Sequence, residues 1–181
     1  MSNLSFRTDI KKVAVIGPEC TGKSELSGYL ANHFQTEWVP EYARGFLENL
    51  PRPYTEEDLL TIAHGQMRLE DTYLRSARNV LICDTNLYVI KIWSLFKFKH
   101  CHADILNNIA TRKYDLYLLT AVDLPWEEDP QREHPNQREE LYELYLHEMK
   151  NQATPFLEIK GEREQRRNTA REAVKKILGS S

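Results

Sequence analysis

The sequence has 181 residues, of which 41% are apolar and 28% are charged, and its formal net charge is −3. This composition is typical of a folded globular chain and excludes intrinsic disorder. The small negative charge excludes a generally basic nucleic-acid-binding protein. No run of about 18 apolar residues is present to span a membrane, and the three cysteines form no disulfide framework. We therefore expect a soluble, cytoplasmic protein with no nucleic-acid or membrane partner.

Strand and helix patterns alternate along the chain. Short apolar or β-branched runs predict strands at 12–16, 36–39, 79–83, 114–119 and 155–159. The predicted helices begin near residue 23 and then cover about 41–50, 55–77, 87–99, 103–111, 137–149 and 162–178. This alternation predicts an α/β fold in a single domain over residues 1–181, with a mainly parallel five-stranded sheet between two layers of helices.

The segment GPECTGKS follows the first predicted strand and opens the first predicted helix. It matches the pattern G-x-x-x-x-G-K-[ST], in which the glycines let successive backbone N–H groups turn towards a phosphate. Lys23 is then expected to reach the β- and γ-phosphates, and the Ser24 hydroxyl to bind magnesium. The residues predicted to bind MgATP are Gly17, Pro18, Glu19, Cys20, Thr21, Gly22, Lys23, Ser24 and Glu25. The alternative is a glycine-rich turn with a surface lysine.

A carboxylate, Asp84, ends the third predicted strand. At the carboxyl edge of a doubly wound sheet, it can join Ser24 in holding magnesium or accept a proton from the substrate. The alternative is that Asp84 only caps the next helix. Asn86 either adds a hydrogen bond to the substrate or faces water.

A second group of polar residues follows the second predicted strand, at the same edge of the sheet. Glu41 is a candidate general base for a substrate hydroxyl, and Arg44 is a candidate contact for an anion. Trp38 and Tyr42 each offer a ring that can stack on a flat heterocycle of the substrate. The alternative is that Glu41 and Arg44 form a solvated first turn and that Trp38 belongs to the core.

The region from about 120 to 138 carries three prolines and many charges but little periodicity. A loop of this length in a compact domain is typical of a lid. We expect Arg132 and Arg138 to close over the transferring phosphate, and Trp126 to contact the substrate. Asp129 lies in the same loop. The alternative is a solvated loop without a role in catalysis.

The last predicted helix carries many basic residues interleaved with glutamates, which predicts a solvated face. These residues are Arg163, Arg166, Arg167, Arg171, Lys175 and Lys176. The start of this helix, near Lys160 and Gly161, is a candidate lining of an adenine pocket.

Together these motifs resemble the nicotinamide riboside kinase (ribosylnicotinamide kinase) domain family, found fused behind an adenylyltransferase in NadR-type bacterial regulators of NAD synthesis. The landmarks are GPECTGKS, Glu41-Tyr42-Ala43-Arg44, Asp84-Thr85-Asn86 and the lid residues Trp126, Asp129 and Arg132. The resemblance covers residues 12–178. Where the family often has Asp-Gly-x-Arg in the lid, this chain has Asp129-Pro130-Gln131-Arg132.

The resemblance implies a P-loop NTPase fold, a three-layer α/β/α sandwich that is thymidylate-kinase-like with a lid. It also implies ATP and Mg²⁺ as cofactors and transfer of phosphate to nicotinamide riboside. Lys23 would stabilise the phosphoryl charge, and either Asp84 or Glu41 would take the proton of the hydroxyl, with Asp84 slightly favoured.

The rival interpretations are a kinase for another nucleoside and a nucleotide-dependent switch. A GTPase is disfavoured because neither a DxxG nor an NKxD motif is present. The oligomeric state stays open.

Overall fold

The computed structural model describes residues 10–179. Its strands are β1 (Lys11–Ile16), β2 (Trp38–Val39), β3 (Val80–Asp84), β4 (Leu116–Thr120) and β5 (Phe156–Ile159). Its helices are α1 (Lys23–Phe34), α2 (Tyr42–Glu48), α3 (Glu56–Leu74), α4 (Leu87–Phe98), α5 (Ala103–Thr111), α6 (Arg138–Lys150) and α7 (Arg163–Ile177). All twelve elements correspond to predicted ones, and the α/β fold class is confirmed.

The five strands form one parallel sheet in the order β2-β3-β1-β4-β5. The chain first builds the sheet to one side of β1 and then to the other, so the carboxyl end of β1 is the point where the direction of winding changes. Ligands of doubly wound sheets bind at such a point. Val15 of β1 pairs with Asp84 of β3, so the expected carboxylate lies beside the end of β1.

Side chains of β1 point alternately to the two faces of the sheet, and each face is covered by helices. Val13 and Val15 pack with residues of α1 and α7 on one face. Ala14 and Ile16 pack with residues of α4 and α6 on the other face. The resulting three layers are those of the predicted sandwich.

A third apolar cluster joins α2, α3, α4 and α5 beyond the edge of the sheet, with Leu59, Ile62 and Leu87 among its buried members. Helix α3 begins at a capping box in which Thr55 Oγ1 accepts from the N–H of Asp58 and the Asp58 carboxylate accepts from the N–H of Thr55. This cluster fixes α2 and α4, which border the site described below.

The observed boundaries lie within two residues of the predicted ones except at the end of α3. The second strand is only two residues long, because the Thr36 hydroxyl donates to Val80 O and accepts from the N–H of Arg78, contacts that replace a strand ladder. Helix α3 ends at Leu74, three residues before its predicted end. Within residues 10–179, no helix combines the length and the apolar character needed to cross a membrane.

Candidate active site

The segment between β1 and α1 forms a tight loop at the carboxyl edge of the sheet. Gly17 and Gly22 have φ angles of 142° and 78°, which side chains rarely adopt. A Cβ atom on Gly17 would lie 2.5 Å from Thr120 Oγ1, so only glycine fits beside β4. Thr120 Oγ1 lies 2.7 Å from Thr21 Oγ1 and donates to Ile16 O at 3.0 Å. The loop is therefore fastened to the ends of both β1 and β4.

Lys23, the first residue of α1, reaches back over this loop. Its Nζ donates to Pro18 O at 2.6 Å, which holds the ammonium group above the curled backbone. The N-cap of α1 is Gly22, so no side chain satisfies the first N–H groups of the helix. A lysine ammonium and the N–H groups of a helix N-terminus that meet in one place attract a phosphate group.

Asp84 lies at the end of β3, next to the start of α1. The residue is 1% exposed, its Oδ2 accepts from Ser24 Oγ at 2.5 Å, and its Oδ1 has no hydrogen-bond partner among the described residues. Burial and, to a smaller extent, the nearby Glu41 carboxylate raise the pKa of Asp84 to about 6, although Ser24 and Lys23 oppose the rise. Asp84 is thus a buried carboxylate with one unsatisfied oxygen.

The pair of Ser24 and Asp84 fits magnesium, which takes oxygen ligands and usually keeps several waters. The unsatisfied Oδ1 supplies an acceptor for a magnesium-bound water, and the Ser24 hydroxyl is the ligand that the loop motif predicts. Between residues 10 and 179, no group of three His, Cys, Asp or Glu side chains is placed to bind a metal. One or two protein ligands are the usual share in a phosphate-bound magnesium site. Binding of magnesium here stays a prediction.

A cavity of about 540 Å³ extends from the phosphate loop towards α4 and α6. Glu41 and Arg44 line it at the start of α2. Beyond them, Trp93, Phe96 and Tyr145 form part of its wall, and we call this part the aromatic chamber. Burial raises the pKa of Tyr145, and the carboxylates of Glu41 and Glu19 raise it further. The carboxylates of Glu41 and Glu19 therefore act on the space beside Tyr145.

The segment between β4 and α6 lies directly on the phosphate loop, and we use the word lid for its residues 124–137 together with Arg138. Arg132 donates to Cys20 Sγ at 3.3 Å, and Arg138, the first residue of α6, donates to Cys20 O at 3.2 Å. One carboxylate oxygen of Glu19 accepts from the backbone N–H groups of Glu133 and His134, at 3.0 and 3.1 Å. Both lid arginines therefore lie beside the residues that would surround a triphosphate.

The other side of the lid is joined to α2 and to the loop before α3. Arg44 donates to Asp129 Oδ2 at 3.1 Å, and Gln131 Nε2 donates to Arg44 O at 3.1 Å. Tyr54 Oη donates to Glu133 Oε2 at 2.6 Å. The N–H of Gln131 and the Arg44 guanidinium lower the pKa of Asp129. The lid thus bridges the phosphate loop and the helices that border the aromatic chamber.

Comparison with known proteins agrees with this arrangement. The model of a family described as AAA domain matches residues 12–166. The chain belongs to this family. The AAA domain match begins within β1 and ends in α7, so it spans the sheet, the phosphate loop and the lid.

Two curated relatives are similar over 126 residues at 26% identity. Both are named trifunctional NAD biosynthesis/regulator protein NadR, one from Salmonella typhimurium strain LT2 and one from Escherichia coli strain K12. The match covers 66% of this chain but only 30% of each relative. The matched region therefore amounts to less than a third of the length of these proteins.

Solved structures show the same fold. A crystal structure of NadR protein in complex with NR has a TM-score of 0.83 at 20% identity, and the match covers 97% of this chain and 54% of that one. A thymidylate kinase from Ehrlichia chaffeensis has a TM-score of 0.60 at 16% identity, over 93% of this chain and 98% of that one. The predicted thymidylate-kinase-like fold and the resemblance to the NadR-type domain are confirmed.

Within this AAA domain fold, two predicted substrate contacts lie away from the cavity. Trp38 packs with the apolar cluster between the sheet and α1, because the alternation of β2 sends its side chain to that face while Val39 points to the other. The Tyr42 ring packs against Gly65 of α3, where a Cβ atom would lie only 2.2 Å from the ring. Neither residue lines the cavity, which corrects both assignments.

Two more predicted contacts have other roles. Asn86 is 1% exposed and caps α4, since its Oδ1 accepts from the N–H of Tyr88 at 3.0 Å. The cap of α4 is therefore Asn86 and not Asp84, so the capping alternative for Asp84 is wrong. Trp126 does not line the cavity; its ring lies 5.9 Å from the Arg132 guanidinium and 5.5 Å from that of Arg138. Trp126 supports the two lid arginines.

The phosphate loop contacts a residue of α7 whose role the sequence did not predict. Arg166 of α7 is 5% exposed and donates to backbone oxygens, although the last helix was expected to present a solvated face. The expected solvated face is found at the neighbours of Arg166, because Arg163 and Arg167 both pair with Glu25 on the surface of α1. Glu25 lines the cavity as a partner of these arginines.

The sequence also did not predict that residues of α4, including Trp93 and Phe96 of the aromatic chamber, line a cavity. Val89, Ile92, Trp93 and Phe96 recur at helical spacing along α4. This spacing is the signal of a helix face that packs into a core, and only the tertiary position of α4 turns part of that face towards a cavity.

Proposed function

We propose that this chain transfers the γ-phosphoryl group of MgATP to the 5′-hydroxyl of nicotinamide riboside, giving nicotinamide mononucleotide. The observation that carries the proposal is that one cavity joins the phosphate loop to an aromatic chamber with carboxylates at its entrance. A kinase needs both ends, because the donor and the acceptor must meet with their reacting atoms in line.

At the donor end, the backbone of residues 17–22 and the Lys23 ammonium bind the β- and γ-phosphates. Arg132 of the lid lines the cavity beside this loop, whereas Arg138 donates to Cys20 O and does not line the cavity. Lys23 and Arg132 stabilise the charge that spreads over the transferring phosphoryl oxygens, and Arg138 supports the loop. Bound through Ser24 and Asp84, magnesium would supply further neutralisation of phosphate charge. Hence the loop and the lid together form the donor half of the site.

At the acceptor end, Glu41 is the group that takes the proton of the hydroxyl. Glu41 lines the cavity, whereas Asp84 is buried behind Ser24 and does not line it. The hydroxyl oxygen forms a bond to the γ-phosphorus while the bond from that phosphorus to the β,γ-bridging oxygen breaks, the proton passes to Glu41, and ADP leaves. This assignment reverses the slight preference for Asp84 that the sequence supports.

The chemistry of the aromatic chamber favours a cationic ring. Three aromatic side chains line the chamber, and the carboxylates of Glu41 and Glu19 act on the space beside Tyr145, as the raised pKa of Tyr145 reflects. A pyridinium ring gains from both features, whereas a neutral base gains only from stacking. The similarity to NadR, which was crystallised with NR, supports the same choice.

The test compares acceptors in a coupled assay of ADP release. Nicotinamide riboside should exceed thymidine and uridine by at least tenfold in kcat/KM, which is about 1.4 kcal/mol in transition-state binding. Glu41→Gln should weaken binding of nicotinamide riboside more than binding of ATP, and Glu48→Gln on the exposed end of the same helix is the matched control. If thymidine or uridine is an equal or better substrate, the acceptor is wrong and a kinase for another nucleoside remains.

A further inference from the structure

Arg166 is a buried charged residue in which each guanidinium nitrogen has a hydrogen-bond partner. Its Nε donates to Gly161 O at 2.9 Å, and its two terminal nitrogens donate to Thr21 O at 2.8 Å and Ala121 O at 2.9 Å. The guanidinium also pairs with the Asp123 carboxylate. Because removing a charge from water is expensive, such a residue persists only where its donors are satisfied, and this condition is met here.

The partners of Arg166 belong to three separate segments of the chain. Thr21 belongs to the phosphate loop, Ala121 and Asp123 follow β4, and Gly161 lies in the turn between β5 and α7. Asp123 closes the ring, since its second oxygen accepts from the N–H of Gly161 at 2.6 Å. One guanidinium therefore fixes the phosphate loop relative to two loops at the carboxyl edge of the sheet.

The α7 side of the cavity lies away from the aromatic chamber, because α7 packs on one face of the sheet and α4 and α6 pack on the other. Arg163 and Arg166 line the cavity there, beside Gly22 of the phosphate loop and Leu124 of the lid. If a triphosphate lies on the phosphate loop and the acceptor occupies the aromatic chamber, the nucleoside part of the donor has this side left to it. This step rests on the proposed function.

We propose that Arg166 is a positioning residue for the donor nucleotide. It sets the distance between the segments that border the nucleoside part and the loop that binds the triphosphate. When the spacing of these segments is already fixed, the triphosphate and the nucleoside of one ligand can bind together without an entropic cost for ordering the protein. Arg166 thus makes ATP a better ligand than its triphosphate part alone.

Arg166→Lys is the sharpest variant, because it keeps the charge but loses the planar fork that reaches three carbonyl groups at once. The Kd values of ATP and of inorganic tripolyphosphate are measured by titration calorimetry for the wild-type chain and the variant. We expect the Kd of ATP to rise at least tenfold and the Kd of tripolyphosphate to change less than threefold. Arg171→Lys is the matched control on the same helix, where Arg171 pairs with Glu172, and it should change neither value.

A purely structural role for Arg166 predicts a different result. If both ligands weaken equally, Arg166 supports only the phosphate loop, and if neither weakens, it only stabilises the fold; either result overturns the proposal. Asp123→Asn is a second variant for the case in which Arg166→Lys does not fold, with an expected loss of about threefold for ATP alone. Since no acceptor is present, the test is independent of nicotinamide riboside. A wild-type chain that binds neither ligand would overturn the proposed kinase function itself.

Discussion

The carboxyl edge of the sheet and the lid both bring charged groups to the same cavity, but they hold them differently. At the sheet edge, Asp84 is 1% exposed and Arg166 is 5% exposed, so each charge has lost nearly all its water. In the lid, the Arg44–Asp129 pair has side chains that are 46% and 20% exposed. Buried charges require fixed partners, whereas exposed pairs contribute little and exchange readily with water. The carboxyl edge of the sheet, which we call the fixed frame, is therefore expected to be rigid, whereas the lid is expected to move.

The contacts that join the two regions are few and polar. Glu19 and Cys20 of the phosphate loop form these hydrogen bonds with the lid; Glu19 only accepts, whereas Cys20 accepts and also donates to Pro125 O. Each such bond contributes only about 0.5–1.5 kcal/mol net, because water replaces it on opening. We therefore expect the lid to open at small cost while the phosphate loop keeps its shape. The predictions below test this difference.

The largest effect is expected at the fixed frame. Lys23→Ala should lower kcat by at least about 10³-fold, because it removes a positive charge from the transferring phosphoryl group. The fold should survive, since the only hydrogen bond that Lys23 Nζ makes among residues 10–179 is to Pro18 O. Turnover is measured by ADP release and folding by circular dichroism.

The control for this prediction is Lys113→Ala, which removes an exposed lysine between α5 and β4. It should leave both measurements unchanged. Turnover of Lys23→Ala within tenfold of the wild type would contradict the assignment of this loop to phosphate transfer.

The second effect concerns the cost of the buried charge itself. The pKa of Asp84 is raised from 3.8 to about 6 in the folded chain. Between these values the folded chain binds more protons than the unfolded one, so its stability falls as the pH rises from about 4 to 6. At pH 7 the resulting decrease in the free energy of unfolding amounts to about 3 kcal/mol. Asp84→Asn removes this decrease, so the variant should be more stable than the wild type at pH 7, although it should lose turnover.

Urea unfolding of both proteins at pH 4, 5, 6 and 7, without magnesium, measures this difference. The advantage of the variant should vanish near pH 4, where Asp84 is protonated in the wild type. A difference in stability that does not depend on pH would contradict burial of the charge as its cause.

Local patterns predict the frame well. The β-branched run of β1 and the glycines around Lys23 act through the backbone conformation of their own segment, which the sequence carries directly. The capping box at Thr55 is local in the same sense. The loop and all five strands could therefore be predicted without knowledge of tertiary contacts.

The walls of the cavity could not be predicted in this way. Trp93 and Phe96 have the spacing of a core-facing helix, and Arg166 lies among alternating charges that resemble a solvated face. Their roles depend on partners that are distant in the sequence, such as Thr21, which lies 145 residues from Arg166. Trp38 is the opposite case: it was predicted to contact the substrate, but its side chain packs on the face of the sheet that α1 covers.

The smallest effect is expected at the lid. Arg132→Ala should lower kcat by about 10- to 100-fold and raise the KM for ATP by less than threefold, because a lid arginine acts mainly on the charge of the transition state. The position of Arg132 supports this split, since it donates to Cys20 Sγ and to Glu127 O, at the mouth of the phosphate loop. Steady-state kinetics with saturating acceptor measure both constants.

Arg75→Ala, which removes an exposed arginine just after α3, is the control and should change neither constant. If both kcat and the KM for ATP are unchanged in Arg132→Ala, the lid arginine only fastens the lid to Cys20, and the lid has no part in catalysis. A rise in the KM for ATP that matches the fall in kcat/KM, with kcat unchanged, would place Arg132 among the groups that bind ATP equally in the ground state and the transition state. Only a loss in kcat agrees with a lid that completes the site as it closes.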